Sequence, residues 1–184
     1  RVQSKRRQSF FRTSFVGYTN VGKSSLMKAI TKSDVLIKNQ LFATLDTTVR
    51  PLFIGNSNYV LMSDTVGFIR NLPNNLIASF KSTLQEVVDS NLLLIVLDAN
   101  SKDLHNEIAT IESVLKEIGA NEIDCQYIFN KIDIVDQDRI TYLRKSFPEA
   151  IMVSATRALQ LSNIKDIIID KHKENALYYN KELK

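Results

Sequence analysis

The run Gly17-Tyr18-Thr19-Asn20-Val21-Gly22-Lys23-Ser24 reads G-x-x-x-x-G-K-S, and no other stretch constrains the fold as strongly. Such a loop works only between a strand and a helix, and both flanks comply. Thr13-Ser14-Phe15-Val16 is β-branched and aromatic enough for a buried strand. Ser25-Leu26-Met27-Lys28-Ala29-Ile30 is rich in helix formers. Gly17 and Gly22 let the backbone curl, so that successive N–H groups up to Ser25 point at a phosphate chain. The helix starting near Lys23 adds the positive end of its dipole. Lys23 is expected to reach the β- and γ-phosphates, and Ser24 to bind Mg²⁺.

With 184 residues the chain is expected to form one domain, long enough to bury a real core. Its 44% hydrophobic and 24% charged residues are the balance of an ordinary soluble globular protein. No apolar run approaches the roughly 20 residues that span a bilayer; the longest, Leu92 to Leu97, is strand-sized. The chain has no initiator Met and no signal-peptide pattern, and is expected to be a piece of a longer protein. The net charge of +4 lies in Arg1, Lys5, Arg6 and Arg7, since the remainder holds 20 basic and 20 acidic residues. Residues 1–10 therefore read as a basic linker or helix end, which also suits a contact with RNA. The lone Cys125 allows no intramolecular disulfide and no zinc site, as in a cytoplasmic protein. It opens the apolar run Cys125 to Phe129 and is expected to be a buried structural thiol. His105 and His172 have no ligand spacing near them and read as surface residues.

Apolar periodicity places a strand at about 11–16, a helix to about Thr31, and a long loop over 33–48 of the kind that is usually functional. Strands at Val49 to Ile54 and Tyr59 to Ser63 flank the turn Gly55-Asn56-Ser57-Asn58, a hairpin by composition. An amphipathic helix follows over 76–89, then the continuous apolar strand Leu92 to Leu97, buried on both faces as in a parallel sheet. The next helix is marked by Leu104, Ile108, Ile111, Val114, Leu115 and Ile118, and Gly119 ends it. A strand at Tyr127 to Phe129, a helix at about 137–146, a strand at Ile151 to Val153 and a last helix from Ser162-Asn163 complete the order. Ile164, Ile167 and Ile168 of that helix should face the core, and 171–184 reads as a polar, frayed tail. The alternation predicts an α/β fold over 11–170: a six-stranded, mostly parallel sheet with one antiparallel edge strand and helices on both faces. Ligands should bind beyond the carboxyl ends of the parallel strands.

The remaining motifs fall at those ends. Asp64 closes a strand one hairpin after the phosphate loop, where it can hold Mg²⁺ through water. Gly67 can offer its N–H to a γ-phosphate where a side chain would crowd it. Thr44 can bring its hydroxyl to Mg²⁺ when the γ-phosphate is present, as a switch loop does. Asn130-Lys131-Ile132-Asp133 selects the base: Asp133 accepts from two guanine donors, N1–H and the 2-amino group, that adenine lacks. The Lys131 stem can lie on the ring, and the Asn130 amide can tie this loop to the phosphate loop. Ser154-Ala155-Thr156 follows the last strand, where a backbone N–H can meet guanine O6. Together these residues predict a guanine-nucleotide-binding domain with Lys23, Thr44 and Gly67 at the reacting phosphate.

The chain resembles the GTPase domain of the HflX family, in the Obg–HflX group of translation-associated P-loop GTPases with a Ras-like G domain. The resemblance rests on the phosphate loop, on Phe42-Ala43-Thr44-Leu45-Asp46, on Asp98-Ala99 and on Asn130-Lys131-Ile132-Asp133. Above all it rests on Asp64-Thr65-Val66-Gly67-Phe68-Ile69-Arg70-Asn71-Leu72-Pro73, continuing into Ala78-Ser79-Phe80-Lys81-Ser82-Thr83-Leu84. It implies a GTPase that binds the large ribosomal subunit, splits or rescues stalled ribosomes, and has a further N-terminal domain joined through residues 1–10; a monomer is expected, though not from the resemblance. It also implies a K⁺ site at Asn20, where cation-activated relatives place an Asn. The family usually has Pro-Thr-Thr-Arg after Leu45-Asp46, where this chain has Thr47-Thr48-Val49-Arg50. Thr44, Thr47 and Thr48 are thus alternatives for Mg²⁺, and spacing from Lys23 in the Obg-like pattern favours Thr44. The family's Gly-containing turn after Ser154-Ala155 is replaced by Thr156-Arg157-Ala158-Leu159, from which a looser base loop is expected. Phe68 stands where many GTPases place a water-orienting glutamine, so slow intrinsic hydrolysis is expected. Two other functions fit the motifs: a ribosome- or RNA-binding module in which nucleotide is structural, and a dual ATP/GTP nucleotidase.

Overall fold

A computed structural model describes residues 10–31, 48–55, 58–65 and 81–182. The sheet begins at its centre. β1 (Arg12–Val16) has Phe15 and Val16 fully buried and lies between β3 (Asn58–Asp64) and β4 (Leu92–Asp98), parallel to both. β4 buries all six residues from Leu92 to Leu97, because helices cover both faces of a parallel strand. β2 (Thr48–Gly55) pairs antiparallel with β3, from Thr48 opposite Asp64 to Gly55 opposite Asn58. β5 (Asp124–Asn130) and β6 (Ile151–Met152) extend the other side, giving the order β2-β3-β1-β4-β5-β6. The sheet is six-stranded, with the one antiparallel pair at its edge, as the hairpin pattern predicts.

Between strands run α1 (Lys23–Thr31), α2 (Lys81–Val88), α3 (Leu104–Glu117) and α4 (Gln137–Ser146), and α5 (Leu161–Glu182) ends the fold. The chain leaves β1 through α1 in one direction along the sheet and returns through α2, α3 and α4 in the other. Right-handed crossovers therefore put α1 on one face and the other three on the opposite face. α5 packs beside α1, with Ile164 and Ile168 fully buried and Ile167 partly so. α1 seats Leu26, Met27 and Ile30 in the core, which fixes where its first residue, Lys23, stands. α4 is capped by Asp136, whose carboxylate accepts from Arg139 N–H at 2.8 Å. Among the described residues, no helix is long and apolar enough to cross a membrane.

Three expectations need correction. The segment from 171 is not a frayed tail: α5 continues to Glu182. Its Lys, Glu, Ala and Leu are good helix formers, and Lys171 and His172 tie it to the body. Lys171 Nζ meets Asp124 Oδ2 at 3.1 Å, and the Phe11 ring stands edge-on to His172 with centroids 5.7 Å apart. That contact also leaves His172 half-buried rather than on the open surface. Cys125 is exposed, not buried. β5 starts earlier than its apolar run, at Asp124, and β6 pairs with it only at Ile128 and Phe129. Nothing in β6 covers the first residues of β5. Residues 1–9, Thr44, Thr47, Gly67, Phe68 and the beginning of the helix expected over 76–89 lie outside the described residues.

Candidate nucleotide site

The parallel strands finish along one edge, with Phe15 opposite Asp64, Asp98 opposite Asn130 and Phe129 opposite Met152. The loops that follow them form the site. The phosphate loop leaves β1 hard against β4. A Cβ on Gly17 would lie 2.3 Å from the Val96 carbonyl oxygen, so no side chain fits there. Tyr18 and Val21 are buried, Thr19 and Ser25 are half-buried, and Asn20 is exposed with φ 64°.

Lys23 is only 7% exposed, and its Nζ donates to the carbonyls of Gly17 at 3.0 Å and Tyr18 at 2.9 Å. Burial lowers its pKa to about 8, against the opposing pull of the Asp64 carboxylate. Ser24 Oγ donates to Asp64 Oδ2 at 2.5 Å, and Asp64 is 1% exposed. The next residue, Thr65, donates through Oγ1 to Phe15 O at 2.6 Å, locking the end of β3 to β1. A half-buried hydroxyl and a buried carboxylate converging in this way are hard oxygen donors of the kind Mg²⁺ takes, and the residues fit that ion. Of the three candidate threonines, Thr48 is described; it opens β2 opposite Asp64.

The base-side loop is joined to the phosphate loop by one amide. Asn130, 2% exposed, donates from Nδ2 to Val21 O at 2.8 Å and accepts at Oδ1 from Ala155 N–H at 3.0 Å. Three loops separated widely in sequence thus meet on a single side chain. Lys131 takes φ 68°, which turns the chain into a 3₁₀ turn, Ile132–Ile134, that exposes Asp133. Lys131 Nζ forms an ion pair with Asp98 Oδ2 at 2.6 Å. The sequence signal for that partner was an aspartate ending a wholly apolar strand.

After β6, Ser154 is fully buried and its backbone exchanges hydrogen bonds with Leu159, N–H to O at 3.2 Å and O from N–H at 3.0 Å. Its Oγ accepts from Arg157 N–H at 3.0 Å. The turn is closed in this way without glycine, and Ala158 and Gln160 hold φ of 52° and 55°. Ala155 is half-buried and Thr156 exposed. Arg139, which sequence reasoning did not single out, braces the neighbouring turn: Nε donates to Ala99 O at 2.8 Å and Nη2 to Ser101 O at 2.6 Å.

Residues 12–131 match the family model described as 50S ribosome-binding GTPase, a span that holds the phosphate loop, Asp64 and Asn130-Lys131. The chain belongs to this family. Its G domain is of the HflX type. It is 45% identical over 163 residues to the GTPase HflX of Gluconacetobacter diazotrophicus, covering 89% of this chain and 36% of that protein. It is 43% identical over 144 residues to the GTPase HflX of Escherichia coli, covering 77% and 34%. The chain therefore spans about a third of the length of the curated relatives it matches. Among solved structures, a GTP-binding protein of Sulfolobus solfataricus in complex with GDP superimposes with a TM-score of 0.67 at 26% identity, covering 94% of this chain and 56% of that one. A variant of Aquifex aeolicus Era bound to GDP·AlF4⁻ gives a TM-score of 0.71 at 20% identity, covering 87% and 56%, and shows the shared fold.

Proposed function

We propose that this G domain binds GTP with Mg²⁺, hydrolyses it to GDP and phosphate, and acts as the switch of a cytoplasmic protein working on the large ribosomal subunit. The observation that carries the reading is the Asn130 amide, which joins Val21 of the phosphate loop to Ala155 of the last loop and so builds one cleft. Lys23 supplies a cation beside the phosphates. Ser24 and Asp64 would hold Mg²⁺, with Thr44 as the switch ligand, and Mg²⁺ when bound neutralises charge on the β- and γ-phosphates. Gly67 would present its N–H to the γ-phosphate. Asp133 would read guanine through two hydrogen bonds, and a backbone N–H of the loop Ser154-Ala155-Thr156 would meet O6. The exposed Asn20 would offer its amide oxygen to K⁺, and the arm at 1–10 would touch rRNA. The test is GTP turnover by the protein with and without large ribosomal subunits. A slow basal rate that rises with the subunits supports the reading. Nucleotide binding without turnover in either condition would leave a binding module instead.

A further inference from the structure

The Asp98–Lys131 ion pair crosses from one strand end to the next. The two strands finish in register, Asp98 opposite Asn130, and Ala99 N–H donates to Asn130 O at 2.9 Å. Lys131 follows β5 in a left-handed conformation, φ 68° and ψ 33°, that few non-glycine residues adopt. Its side chain turns back over the end of β4 and reaches Asp98 Oδ2 at 2.6 Å. The carboxylate is held at its other oxygen too, where Oδ1 accepts from Asn100 N–H at 2.9 Å. The two side chains are only 32% and 24% exposed, so solvent screens the pair incompletely. β4 lies between β1, which leads into the phosphate loop, and β5, which leads into the base loop. The Lys131 stem is therefore stretched across the floor between the two loops that a bound nucleotide must bridge.

We propose that Asp98 is a positioning residue for guanine-nucleotide binding: it holds the Lys131 ammonium at the end of β4, so that the four-carbon stem is laid out as a flat apolar support before the nucleotide arrives. This deepens the proposed function and rests on it. A long, flexible lysine loses rotamer freedom whenever it is ordered. Asp98 orders it in advance, so less is lost on binding. Asp98 does not touch the nucleotide.

The test is a double-mutant cycle on fluorescent GDP dissociation in the full chain, using Asp98→Asn, Lys131→Ala and the pair, with Asp98→Glu as a charge-restoring variant. Asp98→Asn keeps an oxygen for Asn100 N–H but loses the charge, so a merely structural role in that turn would leave dissociation unchanged. The expected result is dissociation about tenfold faster in Asp98→Asn, within the range of coupled contacts. Partial recovery is expected in Asp98→Glu, and no further effect of Asp98→Asn once Lys131 is Ala. Unchanged dissociation in Asp98→Asn, or effects that multiply independently in the pair, would overturn the proposal while leaving guanine binding intact. Failure of the parent protein to bind GDP would instead remove the functional reading itself.

Discussion

Gly22 lies so close to Asn130 that a β-carbon built on it would stand 2.2 Å from the Asn130 amide nitrogen. That amide cannot step aside cheaply, because Val21 O and Ala155 N–H hold it at both ends. The φ of 99° at Gly22 is a second barrier to any side chain. Gly22→Ala is therefore expected to lower stability by about 2 kcal/mol, from left-handed strain plus a displaced buried hydrogen bond. Nucleotide binding should weaken alongside. Thermal unfolding and GDP titration check both, and a variant with parental values of each would refute the contact.

Asn130→Ala deletes the bridge directly. Removing a partner from a buried polar group costs roughly 1–3 kcal/mol. At about 2–4 °C per kcal/mol for a domain of this size, the melting temperature should fall by about 2–12 °C. Asn130→Asp should do at least as much harm, since it sets a carboxylate against Val21 O. A melting curve unchanged in both variants would show that the three loops hold together without this side chain.

The sheet was legible because its signals are local. Six consecutive apolar residues at Leu92 to Leu97 leave little but a buried strand, and Gly55 to Asn58 between two short apolar runs leaves little but a hairpin. The phosphate loop and the Asn130 tie were legible because fixed spacing encodes their chemistry. The rest depends on what packs from elsewhere. Cys125 sits in an apolar run, yet its exposure is set by how short β6 is. The end of α5 looks like a solvated tail until Asp124 and Phe11 are placed beside it. Asp98 and Lys131 are 33 residues apart, and no periodicity links them.

Lys23 should make binding pH-dependent. Its pKa in this fold is about 8, below the ordinary 10.5, because the charged form is buried. Without nucleotide, the folded chain loses this proton before the unfolded chain does. Stability from this group should therefore rise as pH climbs from about 8 towards 10.5. Phosphates favour the charged lysine, so binding above about pH 8 takes up a proton and affinity falls. GDP titrations from about pH 7 to pH 9 should show that decline, and Lys23→Gln should flatten it. A parent profile as flat as the variant's would contradict the assignment.

The turn after Ser154 stores strain. Ala158 and Gln160 occupy left-handed backbone at φ of 52° and 55°, which costs a residue with a β-carbon about 1 kcal/mol. Glycine relieves that but adds entropy to the unfolded chain. Ala158→Gly and Gln160→Gly should each raise stability by up to about 1 kcal/mol, read as a small rise in melting temperature. A fall in both would show that the turn is relaxed as it stands.

The central claim is that this cleft reads guanine through Asp133, and a base swap tests it most directly. Asp133 is exposed on its 3₁₀ turn, with its carboxylate clear of the core, so Asp133→Asn should leave the fold intact. Xanthine carries an oxygen where guanine carries its 2-amino group, and an amide can donate to that oxygen where a carboxylate would repel it. The measurement is a competition titration of GTP against xanthosine triphosphate on the parent and the Asp133→Asn protein. The account predicts strong preference for GTP in the parent and reversal towards xanthosine triphosphate in the variant. An unchanged GTP preference after the substitution would contradict it.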